Sequence, residues 1–170
     1  MQVLLVAINA KYIHSNPAIY SLKQAAQPHT CAQIQTLELT INQHHEDMLR
    51  EIYLLSPDCI GFSCYLWNYE IVRHLVTELQ SLLPQTTLIL GGPEVSYTPA
   101  QTLKEIPADI VMIGEGEKTI IHLLNCLTTH GNLSQIAGIV YRKNSQILQT
   151  GPAELPNMEQ LPFIYPIIYI

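Results

Sequence analysis

The sequence predicts an α/β fold, a doubly wound sheet of five parallel strands covered by helices on both faces, with a β-hairpin appended. Three observations predict it. Short continuous apolar runs alternate five times with segments whose apolar residues recur every three or four positions. That rhythm is the mark of strand–helix units around a parallel sheet. The fourth and fifth runs both empty into glycine-rich turns, Gly91-Gly92-Pro93-Glu94 and Gly114-Glu115-Gly116-Glu117. Beyond Gly131 the rhythm changes to two short runs around Lys143-Asn144-Ser145, which is a hairpin pattern.

The elements follow in order. Val3–Ile8 is apolar throughout and reads as a buried central strand. Asn16-Pro17 supplies an N-cap and a first-turn proline, so a helix is predicted over Pro17–Ala26. Ala32–Leu39 alternates loosely and reads as a second strand nearer an edge. In His45–Leu55, Met48, Ile52 and Leu55 share one face and Glu46 and Asp47 fall in the first turn, so this is a helix, ended by Ser56-Pro57. Cys59–Tyr65 is the third strand. Asn68 is expected to cap a helix with Ile71, Leu75, Leu79 and Leu82 as its buried stripe and Pro84 as its stop.

Thr87–Leu90 is the fourth strand, and Pro93 is expected to stop any helix directly behind it. A short helix is predicted over Pro99–Glu105. Asp109–Ile113 is the fifth strand, and Lys118–Leu127 the last helix, with Ile121, Leu124 and Leu127 as its apolar side. Ile139–Arg142 and Gln146–Gln149 are the hairpin strands. Because the first and third strands are both strongly apolar, the expected strand order is 2-1-3-4-5, a flavodoxin-like (Rossmann-like) topology. The domain reading is residues 1–131 for the α/β domain, 132–150 for the hairpin and 151–170 for a proline-rich linker. The apolar end Ile167-Ile168-Tyr169-Ile170 is expected to lead into further chain or to pack on a partner.

Composition narrows the function classes. The chain has 170 residues, 48% of them apolar and 13% charged, with a net charge of −6. It can bury a sizeable core, and the acidic balance without a Lys/Arg run argues against nucleic acid as a partner. No apolar stretch is long enough to span a bilayer. The N-terminus lacks a basic region followed by a cleavage site, so a cytoplasmic location is expected. Cys31, Cys59, Cys64 and Cys126 form no C-x-x-C pair, so neither a zinc knuckle nor a redox dithiol is indicated. His44-His45 with Asp47 resembles a metal cluster on paper, but adjacent histidines at a helix start point different ways.

In an open parallel sheet, ligands sit at the carboxyl ends of the strands. Asn9–Ser15, Ser63–Asn68, Gly91–Tyr97 and Gly114–Glu117 should gather there. A phosphoacceptor receiver needs an aspartate after the third strand and a lysine after the fifth; Ser63-Cys64 and Gly114 stand in those places. A dinucleotide fingerprint needs G-x-G-x-x-G after the first strand, which instead reads Asn9-Ala10-Lys11-Tyr12-Ile13-His14. A flavin remains open, although the first loop lacks a Ser/Thr-rich phosphate cradle.

The chain resembles the N-terminal cobalamin-binding domain of cobalamin-dependent radical S-adenosylmethionine enzymes, the family that includes anaerobic Mg-protoporphyrin monomethyl ester cyclases and many methyltransferases. The features that carry the resemblance are the first strand followed by Asn16-Pro17, Phe62-Ser63 ending the third strand, Gly91-Gly92-Pro93-Glu94, Gly114-Glu115-Gly116-Glu117 and Leu161-Pro162. It covers nearly the whole chain.

The resemblance implies a cobalamin cofactor held by Asn9, Tyr12, His14, Ser63, Tyr65, Trp67, Gly91, Gly92, Glu94, Gly114, Glu115 and Gly116. Ser63 and Gly91-Gly92 would line the nucleotide tail, with Tyr65, Leu66 and Trp67 flanking the corrin. Glu115 and Glu117 would accept hydrogen bonds from loop amides. No residue here would be catalytic. S-adenosylmethionine and a 4Fe-4S cluster would belong to a downstream radical domain, the partner of this one in a longer chain. The corrinoid motif D-x-H-x-x-G is not matched: Tyr12 stands at the aspartate position and Ser15-Asn16-Pro17 follows His14. Cobalt ligation by His14 and cobalt without a protein ligand are therefore both open. The alternative function is a docking module of the same fold that has lost cobalamin.

Overall fold

From Val3 to Asn9 every residue of β1 (Gln2–Asn9) is buried. Such a strand must have neighbours on both edges and helices on both faces, and that requirement organises the whole molecule. The structure, a computed structural model, describes residues 1–11 and 15–154. The expectations for Tyr12, His14, Leu161-Pro162 and the apolar chain end fall outside those residues.

The remaining strands are β2 (Gln33–Thr40), β3 (Cys59–Ser63), β4 (Thr87–Gly91), β5 (Ile110–Met112), β6 (Ile139–Lys143) and β7 (Gln146–Gln149). Together with β1 they form one sheet in the order β2-β1-β3-β4-β5-β6-β7. The first five are parallel neighbours in the predicted order, with β2 at the edge. The hairpin extends the same sheet to seven strands, β6 running antiparallel to β5 and β7 antiparallel to β6. Its two-residue turn places Asn144 and Ser145 at positive φ, 48° and 64°, the backbone of a type I′ turn.

The helices are α1 (Pro17–Ala26), α2 (His45–Leu54), α3 (Tyr69–Leu82), α4 (Pro93–Ser96), α5 (Pro99–Glu105) and α6 (Glu117–Thr128). Strand alternation sorts the core into two halves. Leu4, Val6, Ile8, Ile60, Phe62, Leu88 and Leu90 pack with buried residues of α2, α3, α4 and α5. Val3, Leu5, Ala7, Cys59, Ile89, Ile110 and Met112 pack with Ile19, Ile120, Leu123 and Leu124 of α1 and α6. Among the described residues no helix is long and apolar enough to cross a membrane.

Several local expectations are corrected. The buried stripe of α3 is Val72, Leu75, Val76 and Leu79, with Ile71 half-buried and Leu82 exposed. The 3-1-3 spacing keeps one face against the sheet, whereas Ile71 and Leu82 lie at its margins. Leu55 follows the end of α2 and is exposed, so Leu49 joins Met48 and Ile52 against the core. Pro93 starts α4 instead of stopping a helix: at the first helical position its missing N–H has no partner to lose. The third strand ends at Ser63, two residues early.

Burial holds the thiols of Cys59 and Cys64 up at about 12, against an ordinary value of 9.0, with nearby carboxylates adding to the effect. A folded pKa raised in this way adds stability that is complete below pH 9 and lost as pH climbs toward 12. Equilibrium denaturation across that range should therefore show falling stability, and Cys59→Ala should make the fall shallower. An unchanged slope in the variant would refute the assignment. At neutral pH an alkylating reagent should label exposed Cys31 in the native protein and leave Cys59 and Cys64 unlabelled until denaturant is added.

Candidate functional site

Where side chains are small, a sheet and its covering helices cannot close on each other. On the face covered by α1 and α6, the row across β1, β3 and β4 nearest the carboxyl edge is Ala7, Ser63 and Gly91. The row before it is Leu5, Gly61 and Ile89. These small positions lie under the first turns of α1 and α6. They leave a cavity of about 480 Å³ bounded by Leu5, Ile89 and Met112 of the sheet, Ala18 and Leu22 of α1, and Ile120 of α6. That volume lies within the range of small-molecule sites. The mouth carries Ser63, Tyr65, Ser96, Tyr97 and both glycine turns.

The two turns are built differently. Gly92 has φ +107°, and a Cβ there would lie 2.5 Å from the Cys64 carbonyl oxygen. Only glycine fits both the backbone and the contact. Gly116 precedes α6 with ordinary helical backbone, but its Cβ would lie 2.9 Å from Leu22 Cδ2 and 3.2 Å from Met112 Cε. Glycine there keeps space open. Ser96 ties the turns together: its Oγ donates to the Gly92 carbonyl at 2.8 Å and accepts from the Gly114 amide at 3.3 Å.

The end of β3 is held by Asn68, which is fully buried. Its Nδ2 donates to the carbonyls of Ile8 at 3.0 Å and Ser63 at 2.9 Å, and its Oδ1 accepts from the Tyr65 amide at 2.8 Å. It is therefore a lock between two strand ends and makes no side-chain cap on α3. Trp67 Nε1 donates to the same Ile8 carbonyl at 3.1 Å. The ring of Trp67 stacks on Tyr65, centroids 4.5 Å apart and planes within 10°. Asn16 caps α1 through the Ala18 amide and donates from Nδ2 to Ser63 Oγ at 3.2 Å.

Charge at the cavity is acidic. Among its lining residues the charged ones are Glu115 and Glu117, with no Lys or Arg. Ser21 Oγ donates to Glu117 Oε1 at 2.8 Å, while Oε2 is out of solvent without a hydrogen-bond partner among the described residues. The expected loop-amide donors to Glu117 are thus replaced by a hydroxyl from α1. Elsewhere on α1, burial first and then the Glu38 carboxylate of β2 push the Tyr20 hydroxyl above its ordinary range.

Of the residues singled out in the sequence, Ser63, Tyr65, Gly91, Gly92, Gly114, Glu115 and Gly116 are brought together around the cavity. Trp67 backs Tyr65 without lining it. Asn9 is buried at the end of β1, and Glu94 sits on α4; neither is in the lining. Tyr12 and His14 lie outside the described residues. Ser96 and Tyr97, within the segment Gly91–Tyr97 expected at this edge, line the cavity too, whereas sequence reasoning missed Gly61, Leu22 and Met112. A lone glycine inside an apolar strand was the available signal for Gly61. Leu22 and Met112 have none, because only the tertiary fold brings them here. Among the described residues no group of three His, Cys, Asp or Glu could hold a metal ion. His45 Nε2 lies 2.9 Å from Glu78 Oε1.

Comparison with known proteins gives the geometry a context. Residues 3–124 match the family described as B12 binding domain. The chain is 34% identical over 97 residues to an anaerobic magnesium-protoporphyrin IX monomethyl ester cyclase of Synechocystis, covering 56% of this chain and 19% of that protein. It is 34% identical over 110 residues to the hopanoid C-3 methylase of Methylococcus capsulatus, covering 63% and 21%. An uncharacterised methyltransferase of Pyrococcus horikoshii matches over 68% of this chain and 26% of its own length. The chain thus spans about a quarter or less of these relatives. The radical S-adenosylmethionine methyltransferase TsrM of Kitasatospora setae superposes with a TM-score of 0.75 at 22% identity, covering 90% of this chain and 30% of that one. That likeness shows a shared fold.

The two supports of the cavity mouth are open to test. Gly92→Ala combines a disfavoured φ with a backbone collision and should lower unfolding free energy by at least about 2 kcal/mol. Asn68→Ala takes this partner from the Ser63 carbonyl and the Tyr65 amide, while the Ile8 carbonyl keeps Trp67 Nε1, and should cost about 2–3 kcal/mol in the same measurement. A loss under about 0.5 kcal/mol for either, by denaturant titration, would contradict the assigned role.

Proposed function

This chain belongs to the B12-binding domain family, with cobalamin as its cofactor, and from that premise we propose that it is the cofactor-carrying part of a larger radical S-adenosylmethionine enzyme. The observation that carries the reading is the cavity at the carboxyl edge, where Gly91 and Gly116 leave space beside Met112 and Leu22, Gly92 shapes the turn, and apolar side chains form the walls. Its residues fit the group. Leu5, Ile89, Leu22 and Ile120 would hold a flat apolar base, and the stacked Tyr65 and Trp67 would offer aromatic surface to the corrin ring. When bound, cobalamin supplies a cobalt centre able to carry a methyl group.

The work of this chain's own residues is binding and exclusion. Gly92 and Ser96 fix the two turns that border the entrance. Ser63, held by Asn16 Nδ2, offers its hydroxyl at the entrance. Residues 1–131 form the corrin-carrying unit in this reading, 132–150 the hairpin, and 151–170 lead toward a radical domain with the 4Fe-4S cluster and S-adenosylmethionine. The methyltransferases and cyclases among its relatives support methyl transfer or ring modification as the activity of the longer protein. The free cysteines support a cytoplasmic setting.

A binding experiment tests this directly. The purified chain is mixed with hydroxocobalamin, desalted and scanned for corrin absorbance, and the procedure is repeated with flavin mononucleotide. The chain should retain corrin and release flavin. Gly116→Leu needs no unusual backbone and meets only flexible side-chain ends, so it should fold, melt within a few degrees of the parent and emerge colourless. A colourless parent, retained flavin, or full corrin retention by the folded variant would overturn the reading.

A further inference from the structure

The two edges of the sheet are finished differently. β7 has four residues, and a short edge strand offers little to pair with. β2 has eight. It contains no proline and no lysine, and its one charge, Glu38, is tied to the Asn16 amide at 2.7 Å. A long, nearly uncharged edge invites pairing with another chain. Backbone groups alternate between the two sides of a strand. The Gln33 and Ile41 amides donate to the Met1 and Asn9 carbonyls on the β1 side, both at 3.0 Å. The even-numbered residues of β2 therefore turn their amides and carbonyls outward.

Two glutamines occupy that outward lane. Gln27, the residue after α1, donates from Nε2 to the Ala32 carbonyl at 3.2 Å and accepts at Oε1 from the Ile34 amide at 3.4 Å. A residue of a parallel neighbouring strand makes the same pair of bonds, to a carbonyl and to the amide two positions on. The carboxamide stands in for one residue of a missing strand. Gln43 closes the other end. Its Oε1 accepts from the Thr40 amide at 2.7 Å, its own amide donates to the Thr40 carbonyl at 3.0 Å, and its Nε2 donates to Glu51 of α2 at 3.4 Å. A further strand would run about 4.8 Å from β2, and both side chains lie in its way. Between them, the outward backbone groups of Thr36 and Glu38 have no partner among the described residues.

We propose that Gln27 and Gln43 are guards that close the β2 edge against a second copy of this chain. Unguarded, β2 would pair antiparallel with itself about Thr36 and join two sheets across a two-fold axis. In that register Glu38 of each copy faces Ile34 of the other, so like charges do not meet. The guards withdraw Ala32 and Thr40 from such a ladder and take the Ile34 amide as well. The stretch left free falls short of an ordinary strand, about three residues or more. The proposal stands apart from the cofactor reading.

The double variant Gln27→Ala/Gln43→Ala tests it on the whole chain by sedimentation velocity. Relative to the parent it should gain a species of twice the mass, whose share rises with concentration. In that species the Thr36 and Glu38 amides should exchange with solvent at least about tenfold more slowly than in the parent. Adding Thr36→Pro should remove the species, because proline takes away an outward amide and leaves the β1 ladder intact. Gln27→Ala alone frees Ala32 and Ile34 and should show the same species at higher concentration. This single variant decides the matter should the double variant fail to fold. Sedimentation unchanged from the parent, a doubled species that survives Thr36→Pro, or unchanged exchange at Thr36 and Glu38 overturns the proposal. So does a parent that forms the doubled species and loses it with Thr36→Pro, because its edge is then already open.

Discussion

A sheet buried on both faces has room for a ligand only where it lacks side chains. In this molecule that constraint falls on one face and one edge. Ala7, Ser63 and Gly91 lie side by side in register, and Gly61 sits one pleat below between Leu5 and Ile89. The opposite face of the same strands carries Ile8, Phe62 and Leu90, all buried against helices. One face is thus a packed core and the other, at its carboxyl end, an open cleft. The period-two alternation of strands makes this possible, since each face is specified by its own set of residues.

An open cleft at the end of a sheet also exposes backbone polar groups that the ladder no longer pairs. The protein answers with side chains from the following turns. Asn68 serves two carbonyls and an amide, Trp67 reaches the Ile8 carbonyl, and Ser96 bridges Gly92 and Gly114. At the other edge, Asp58 and Asp109 accept from the amides of Gln2 and Leu88 at the strand starts. The polar residues near the edges are thus mostly committed to the frame. Glu117 differs from them because one of its oxygens is left over.

The large pattern was legible because it rests on local rules. Apolar runs gave the strands, Asn16-Pro17 gave the start of α1, and the paired glycines marked the edge that carries the cavity. Finer points escaped where tertiary packing decides. The phase of α3 could be read as Ile71–Leu75–Leu79–Leu82 or Val72–Leu75–Val76–Leu79, and contact with the sheet chose the second. Asn68 looked like a cap because it precedes a helix, yet its buried position beside Ile8 turned it into a strand lock. Leu22 and Met112 carry no signal of their own, and Glu94, though next to the glycines, stands on a short helix outside the lining.

Charge separates the candidate ligands more sharply than shape. A flat ring system of either kind, flavin or benzimidazole, would suit the apolar walls. A flavin mononucleotide carries a phosphate monoester, close to two negative charges at neutral pH, as phosphoserine does. The cavity lining brings Glu115 and Glu117 and no cationic side chain. The partial positive charge at the start of α6 acts over about the first turn, and Glu117 already draws on it. A cobalamin tail has a phosphodiester with a single charge, and its ribose offers hydroxyl donors to an acidic wall. The carboxylates that penalise the first ligand repel the smaller charge of the second less, so the acidity of the cleft itself favours the corrinoid.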